Sequence, residues 1–129
     1  PKQTSLVSAL KKVMKNVSNN LEAISFRIPT AIVASSDLTI RLNKSTNTSD
    51  LNDFFKQKSE QFNSIIGYQD DQLVSIDFKK IRESMFVDGR WTRVLRGNTI
   101  KLILWYDNEW GYSNRVYDMV KLMGEYIEN

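Results

Sequence analysis

The chain of 129 residues contains no cysteine and no histidine. Without cysteine it has no disulfide, no thiolate ligand for a metal and no thiol nucleophile. Without histidine it lacks the commonest general base and the commonest metal ligand. We therefore expect no metal site and no catalytic residue within the chain. Any chemistry that needs a thiol or an imidazole must take it from outside this sequence.

Charge of one sign and long apolar runs are also scarce. The net charge is +3, from 18 Lys and Arg against 15 Asp and Glu, and the basic residues are spread along the chain. Such a small, dispersed excess does not predict a nucleic-acid partner. No apolar run approaches the ~18 residues that a membrane span needs, and residues 1–5 lack the apolar core of a signal peptide. We expect a cytoplasmic protein that binds neither membrane nor nucleic acid, and the missing cysteines fit that compartment.

The length is that of one domain, and the first residue is a proline instead of a methionine. We interpret the sequence as a piece of a longer polypeptide. Hydrophobic spacing predicts three helices. The first runs over 6–17 with Thr4 or Ser5 as its N-cap, the second has Thr48 or Ser49 as its N-cap, and the third starts near Trp110.

Strands are predicted at 21–28, 31–42 and 73–78. Three further strands, at 84–87, 90–95 and 99–106, are predicted to form an antiparallel meander. The Asp88-Gly89 pair is typical of a two-residue hairpin turn, because both central residues of such a turn need positive φ. The pattern predicts an α+β fold with a mixed, largely antiparallel sheet and helices packed on one face.

The most informative segment is 101–116. Five apolar or aromatic residues end a strand, then Asp107, Asn108 and Glu109 follow, and a helical pattern begins. A strand end beside the first turn of a helix is a favoured place to hold a ligand. Asn108 has the alternative of being a turn or N-cap residue, and we expect the two carboxylates to act as caps or dipole partners instead of as an acid–base pair.

The sequence Trp-Tyr-Asp-Asn-Glu-Trp-Gly-Tyr-Ser-Asn-Arg-Val at 105–116 closely resembles the C-terminal signature of the glyceraldehyde-3-phosphate dehydrogenase family. Further segments match family motifs in the same order: Phe-Arg-Ile-Pro-Thr at 26–30, Ser-Asp-Leu-Thr at 36–39, Ile-Ile-Gly-Tyr at 65–68 and Val-Ser-Ile-Asp-Phe at 74–78. The resemblance implies that residues 1–129 are the C-terminal part of the family's catalytic domain. The family's nucleophile cysteine, base histidine and nucleotide-binding domain would precede this part.

The resemblance implies an NAD-dependent, phosphorylating aldehyde dehydrogenase of glycolysis, with NADP left open as the cofactor. In the family, cysteine attacks an aldehyde, hydride passes to the nicotinamide, and inorganic phosphate attacks the resulting thioester. The implied partners are a sugar-phosphate aldehyde, inorganic phosphate and further copies of the chain in a homotetramer. This part would bind phosphate and position the cofactor, and alone it is expected to be inactive.

The resemblance assigns cofactor binding to Asn108 and Tyr112. The Asn108 amide would hydrogen-bond the nicotinamide carboxamide, since one amide can both donate to and accept from another. Tyr112 would lie near the nicotinamide, with packing in the core as an equal alternative.

The resemblance assigns phosphate binding to Thr4, Ser5 and Arg27. The Arg27 guanidinium offers a planar fork to phosphate oxygens, although an ion pair on the sheet is the alternative. Thr4 and Ser5 match a helix start that receives the other phosphate, or serve as caps only. Ser5 stands where the family usually has glycine, which weakens the match to the inorganic-phosphate site.

Three alternatives stay open. The erythrose-4-phosphate dehydrogenase branch, whose thioester is released by water, is favoured by residues 22–24, 87–94 and Ser5, whereas Tyr106 and 112–114 favour the triose enzyme. A non-catalytic interaction module on the same scaffold is the second. The third is nucleic-acid binding through the basic and aromatic residues of 90–96, for which a sheet edge or subunit interface is the better interpretation.

Overall fold

The computed structural model of the chain describes residues 1–14 and 20–127. The chain divides into two compact units, Pro1–Ala31 and Ile32–Asn129. None of the helices formed by residues 1–14 and 20–127 is long and apolar enough to cross a membrane.

Residues 1–14 and 20–31 of the first unit form one α-helix and a small antiparallel pair of strands. Strand β1 is Lys2–Gln3, helix α1 is Leu6–Val13 and strand β2 is Ile24–Ser25, with Lys2 opposite Ser25. The predicted extension of the helix to residue 17 lies outside the described residues. The long strand predicted at 21–28 is wrong, because within this unit only two residues find a pairing partner, on the equally short β1.

The second unit carries a five-stranded sheet and two helices. The elements are β3 (Ala34–Arg41), α2 (Thr48–Gln61), β4 (Ile66–Gln69), β5 (Met85–Asp88), β6 (Arg93–Leu95), β7 (Thr99–Tyr106) and α3 (Asn108–Ile127), with 3₁₀ turns at Ser75–Phe78 and Gly89–Trp91.

Strand β7 is the centre of the sheet. It pairs antiparallel with β3 over its whole length, from Ala34 opposite Tyr106 to Arg41 opposite Thr99. Its other edge is shared by β6 near its start and by β5 near its end, and β4 pairs parallel with β5. The sheet is thus mixed and largely antiparallel, which confirms the predicted α+β class.

Two predicted features of this sheet are wrong. Residues 73–78 do not form a strand, because the Val74 N–H donates to the Asp77 carboxylate at 2.7 Å and closes a 3₁₀ turn that buries Phe78. Asp88-Gly89 is not a hairpin turn either. The Asp88 carboxylate instead accepts from the Arg90 N–H at 3.3 Å, so β5 leads into a 3₁₀ turn and both β5 and β6 pair with β7.

The core lies between α2 and one face of the sheet. Its buried members are Leu51 of α2, Val87 of β5, and Ile100, Leu102 and Leu104 of β7. The three β7 residues alternate along the strand, as expected for a strand with one buried face. The N-cap of α2 is Asn47, one residue before the nearer predicted cap, and its side chain accepts from the Asp50 N–H at 2.9 Å.

The opposite face of the sheet is partly covered by the 3₁₀ turn that carries Phe78. The Phe78 ring stacks on Trp105 at 5.5 Å between centroids and lies 5.7 Å from the Phe86 ring. Beside these rings is a shallow hollow lined by Ser35, Trp91, Arg93, Lys101, Ile103 and Trp105. This face therefore combines an aromatic cluster with an open, solvent-facing surface.

Candidate functional site

The junction between β7 and α3 is built on the carboxylate of Asp107. This residue is 2% exposed and caps α3, because its Oδ1 accepts from the Trp110 N–H at 3.0 Å. Its Oδ2 accepts from the Lys80 N–H at 2.9 Å. The helix starts two residues before the predicted start, at Asn108, and Asp107 has the capping role that was expected of a carboxylate here.

The same hydrogen bonds keep Asp107 ionised. Burial alone would raise the pKa of its carboxyl, but the backbone N–H groups of Lys80, Trp110 and Glu109 stabilise the charged form and outweigh that effect. The pKa of Asp107 therefore lies below its ordinary value of 3.8. A carboxylate held in this way is a structural anion, and the geometry does not present it as a proton donor or acceptor.

Asn108 and Tyr112 lie together on the first turns of α3. Both are exposed, Tyr112 to 72%, which does not support the alternative that Tyr112 packs in the core of this unit. They are four residues apart, so their side chains share one stripe of the helix. Within the described part of the chain the Asn108 amide has no hydrogen-bond partner, and the capping role is filled by Asp107.

A neighbouring stripe of α3 is anchored to the loop over residues 79–84. A Cβ on Gly111 would lie 3.3 Å from the Glu83 carbonyl oxygen, so the helix backbone passes close to this loop. The Arg115 guanidinium donates to the Ser84 hydroxyl at 3.1 Å and to the Ser64 carbonyl. Beyond these contacts, every residue from 119 to 127 is exposed.

The first unit holds the three residues predicted to bind phosphate. Thr4 and Ser5 lie together at the start of α1, where the Thr4 hydroxyl accepts from the Leu6 N–H at 3.2 Å. The Ser5 hydroxyl makes no capping hydrogen bond. Arg27 is exposed, and within the described part of its own unit it makes no ion pair. A single cleft shared by Arg27 and Asn108 stays a prediction.

A buried ion pair that sequence reasoning missed lies beside the aromatic cluster. The Asp88 side chain is completely buried, and accepts from the Arg90 guanidinium at 2.6 and 2.9 Å and from Trp105 Nε1 at 3.1 Å. Burial would raise the pKa of Asp88, but these bonds and the Arg90 charge lower it below 3.8. Only the i, i+2 spacing of Asp88 and Arg90 offered a local signal for the pair.

This pair also changes the interpretation of the basic residues at 90–96. Arg90 is neutralised by Asp88 and donates further to the Leu73 carbonyl at 2.9 Å. Arg93 lies 5.9 Å from the Trp91 ring and donates to two backbone carbonyls. Both side chains therefore make local contacts within and beside the sheet. Among residues 1–14 and 20–127, no cluster of three or more acidic side chains could hold a metal ion.

The fold and the junction define an α+β domain that presents polar side chains where its central strand meets its last helix. Residues 1–108 match the family model described as "Glyceraldehyde 3-phosphate dehydrogenase, C-terminal domain". A protein of Atriplex nummularia named "Glyceraldehyde-3-phosphate dehydrogenase" is 39% identical over 126 residues, which are 97% of this chain and 35% of that relative. The chain therefore belongs to the glyceraldehyde-3-phosphate dehydrogenase family, and it spans about a third of the length of that relative.

Proposed function

We propose that this chain is the C-terminal part of the catalytic domain of an NAD-dependent, phosphorylating aldehyde dehydrogenase. The observation that carries the proposal is the Asn108 amide, which is exposed and unpaired within the described residues at a junction held by the buried Asp107 carboxylate. The amide occupies the position that the family signature gives to the nicotinamide-binding asparagine.

The donors present fit a nicotinamide cofactor. The Asn108 amide can donate to and accept from a carboxamide, and Tyr112 on the same stripe offers an exposed ring and hydroxyl beside it. When bound, the cofactor supplies the hydride acceptor. What this chain adds is the orientation of the nicotinamide ring, which is a geometric contribution to catalysis. NAD is the proposed cofactor, with NADP as the alternative.

The first unit would bind the phosphate groups of the substrates. An exposed arginine without an ion pair in its unit is ready to bind the phosphate of a sugar-phosphate aldehyde, and Arg27 has these properties. The start of α1 would receive inorganic phosphate through its free N–H groups and the helix dipole. We also expect the complete enzyme to be a homotetramer, as in the family.

A second candidate function is favoured by Ser5. This exposed residue adds a side chain at the helix start where the family's glycine leaves the backbone open to phosphate. A weaker site for inorganic phosphate fits an enzyme that releases its product with water, as in the erythrose-4-phosphate dehydrogenase branch.

The test uses the complete enzyme, which is the polypeptide encoded by the whole reading frame that contains this chain. We expect it to reduce NAD with glyceraldehyde 3-phosphate in a phosphate-dependent reaction, and the isolated 129-residue chain to give no NADH because it has no thiol or imidazole. Faster, phosphate-independent turnover of erythrose 4-phosphate would select the second candidate. Failure to oxidise either aldehyde would overturn both.

A paired substitution tests the role of the amide itself. Asn108→Ala in the complete enzyme should weaken NAD binding, measured by calorimetry, because the carboxamide loses its partner. Asn114→Ala is the matched control, since this amide of the same helix already donates to the Trp110 carbonyl at 2.9 Å. Equal affinities for NAD in Asn108→Ala and wild type would contradict the assignment.

A further inference from the structure

We propose that Asp107 is a positioning residue, which fixes the first turn of α3 against the loop at 79–84 and so sets the direction of the Asn108 amide. The inference rests on the proposed function, in which the Asn108 amide binds the nicotinamide. It concerns a residue that touches neither substrate nor cofactor and acts through its neighbour.

Asp107 does more than an ordinary helix cap. The cap of α2, Asn47, makes both of its side-chain bonds to Asp50 of its own helix, at 2.9 and 2.8 Å. Asp107 uses one oxygen for the N–H of Trp110 and the other for the N–H of Lys80, which lies 27 residues earlier in the chain. One carboxylate therefore joins the start of the helix to a separate loop.

The loop that receives Asp107 is itself constrained. Lys80 has a φ of 61°, in the left-handed region that non-glycine residues seldom adopt and that persists where the surroundings fix it. Its N–H donates to the buried Asp107 carboxylate at 2.9 Å. The hydrogen bond thus joins the helix start to a residue whose backbone conformation is unusual for lysine.

The contacts of α3 fall on two adjacent stripes. Asp107, Gly111 and Arg115, each four residues apart, face residues 80–84 and form the anchored stripe. Asn108 and Tyr112, each one residue further on, are exposed and form the presented stripe. Because a helix backbone is rigid over two turns, fixing the first stripe fixes the directions in which the second stripe points.

Serine at position 107 separates capping from anchoring. A serine hydroxyl can cap the helix through the Trp110 N–H, but serine lacks the second oxygen, which in Asp107 accepts from Lys80. Asp107→Ser in the complete enzyme is expected to lower kcat/KM on the order of 100-fold, the loss that a displacement of ~1 Å can produce. Asn47→Ala is the control, because it removes a helix cap distant in sequence from the junction.

The decisive measurement is the face of the nicotinamide that receives hydride, followed with a deuterated aldehyde and NMR of the reduced cofactor. We expect wild type and Asn47→Ala to label one face only, and Asp107→Ser to label both faces and to bind NAD more weakly by calorimetry. General loss of stability, followed by the Tm of each variant, lowers the amount of folded enzyme but does not mix the two faces.

Each outcome decides between the inference and the function on which it rests. If Asp107→Ser labels one face and binds NAD as Asn47→Ala does, Asp107 is only a cap and the inference is wrong. If wild type itself binds no NAD, the proposed function fails instead. Should Asp107→Ser not fold, Asp107→Asn gives the same decision, since its Oδ1 still caps Trp110 while its Nδ2 faces the Lys80 donor. Labelling of one face by Asp107→Asn, with unchanged NAD affinity, would overturn the inference.

Discussion

Replacing Phe78 with alanine tests how the aromatic face of the sheet is held together. The Phe78 side chain is 1% exposed and contacts the rings of Trp105 and Phe86. Removing a buried phenylalanine side chain costs about 3–5 kcal/mol of unfolding free energy, through lost transfer energy and the cavity left behind. The two ring contacts, each worth about 0.5–1.5 kcal/mol beyond burial, move the expected loss to the upper part of that range.

Two companion substitutions separate the contributions. Phe78→Leu keeps most of the buried volume and loses the two ring contacts, so we expect a loss of about 1–3 kcal/mol. Ile76→Ala changes a side chain that is 57% exposed in the same 3₁₀ turn, and should cost about 1 kcal/mol or less. The expected order of losses is therefore alanine at 78, leucine at 78, then alanine at 76.

The assay is equilibrium unfolding of the 129-residue chain in urea, followed by the fluorescence of its three tryptophans, of which Trp105 lies beside Phe78. A fall in the urea midpoint with an unchanged slope gives the loss of stability. If Phe78→Ala lost no more free energy than Ile76→Ala, the stacked arrangement of Phe78 on this face would be refuted.

Three further predictions follow from particular contacts. Gly67→Ala should lose about 1–3 kcal/mol of stability in the same urea assay, because its Cβ would lie 2.5 Å from the Phe86 ring. Gly124→Ala, whose Cβ would have no atom within 4 Å, should instead gain about 0.5–1 kcal/mol from helix propensity. Equal effects of the two substitutions on stability would contradict the packing at Gly67. The pKa values of Asp88 and Asp107 are depressed on folding, so the unfolded state binds more protons and stability should fall as the pH drops through and below 3.8. A Tm that is unchanged or rises on this acidification would contradict the stabilisation of the two carboxylates by their hydrogen bonds. In the complete enzyme, Arg27→Lys should raise KM for the sugar phosphate about tenfold, because one charge-assisted hydrogen bond is lost. The control Arg41→Lys changes another exposed arginine and should leave KM unchanged. Equal KM values for the two variants would contradict phosphate binding by Arg27.

The sequence was most informative where local pattern and tertiary role agree. Strand β7 was predicted with its observed bounds, because Ile100, Leu102 and Leu104 alternate towards the core and a turn precedes Thr99. That turn has positive φ at Arg96 and Gly97, as hairpin turns require. The family resemblance at 105–116, confirmed by the comparisons, depended on side-chain identity and needed no structure.

Sequence-based prediction failed where a single polar contact, or a contact with a residue distant in the chain, determines the structure against the local hydrophobic pattern. The apolar residues of 73–78 resemble a strand, yet Val74 and Ile76 are exposed and the Asp77 side chain closes a turn. Nothing local to Asp107 indicates that its second oxygen would bind Lys80. Likewise, hairpin statistics for Asp-Gly could not include the bond from Trp105 to Asp88.

The exposed last turns of α3 have a consequence for association. Residues 119–127 include Met119, Leu122 and Ile127, whose apolar surfaces are in contact with water. Association with any surface that covers them would gain about 25 cal/mol of free energy for each Å² of apolar surface removed from water. The apolar end of this helix would therefore contribute affinity for any surface that packs against it.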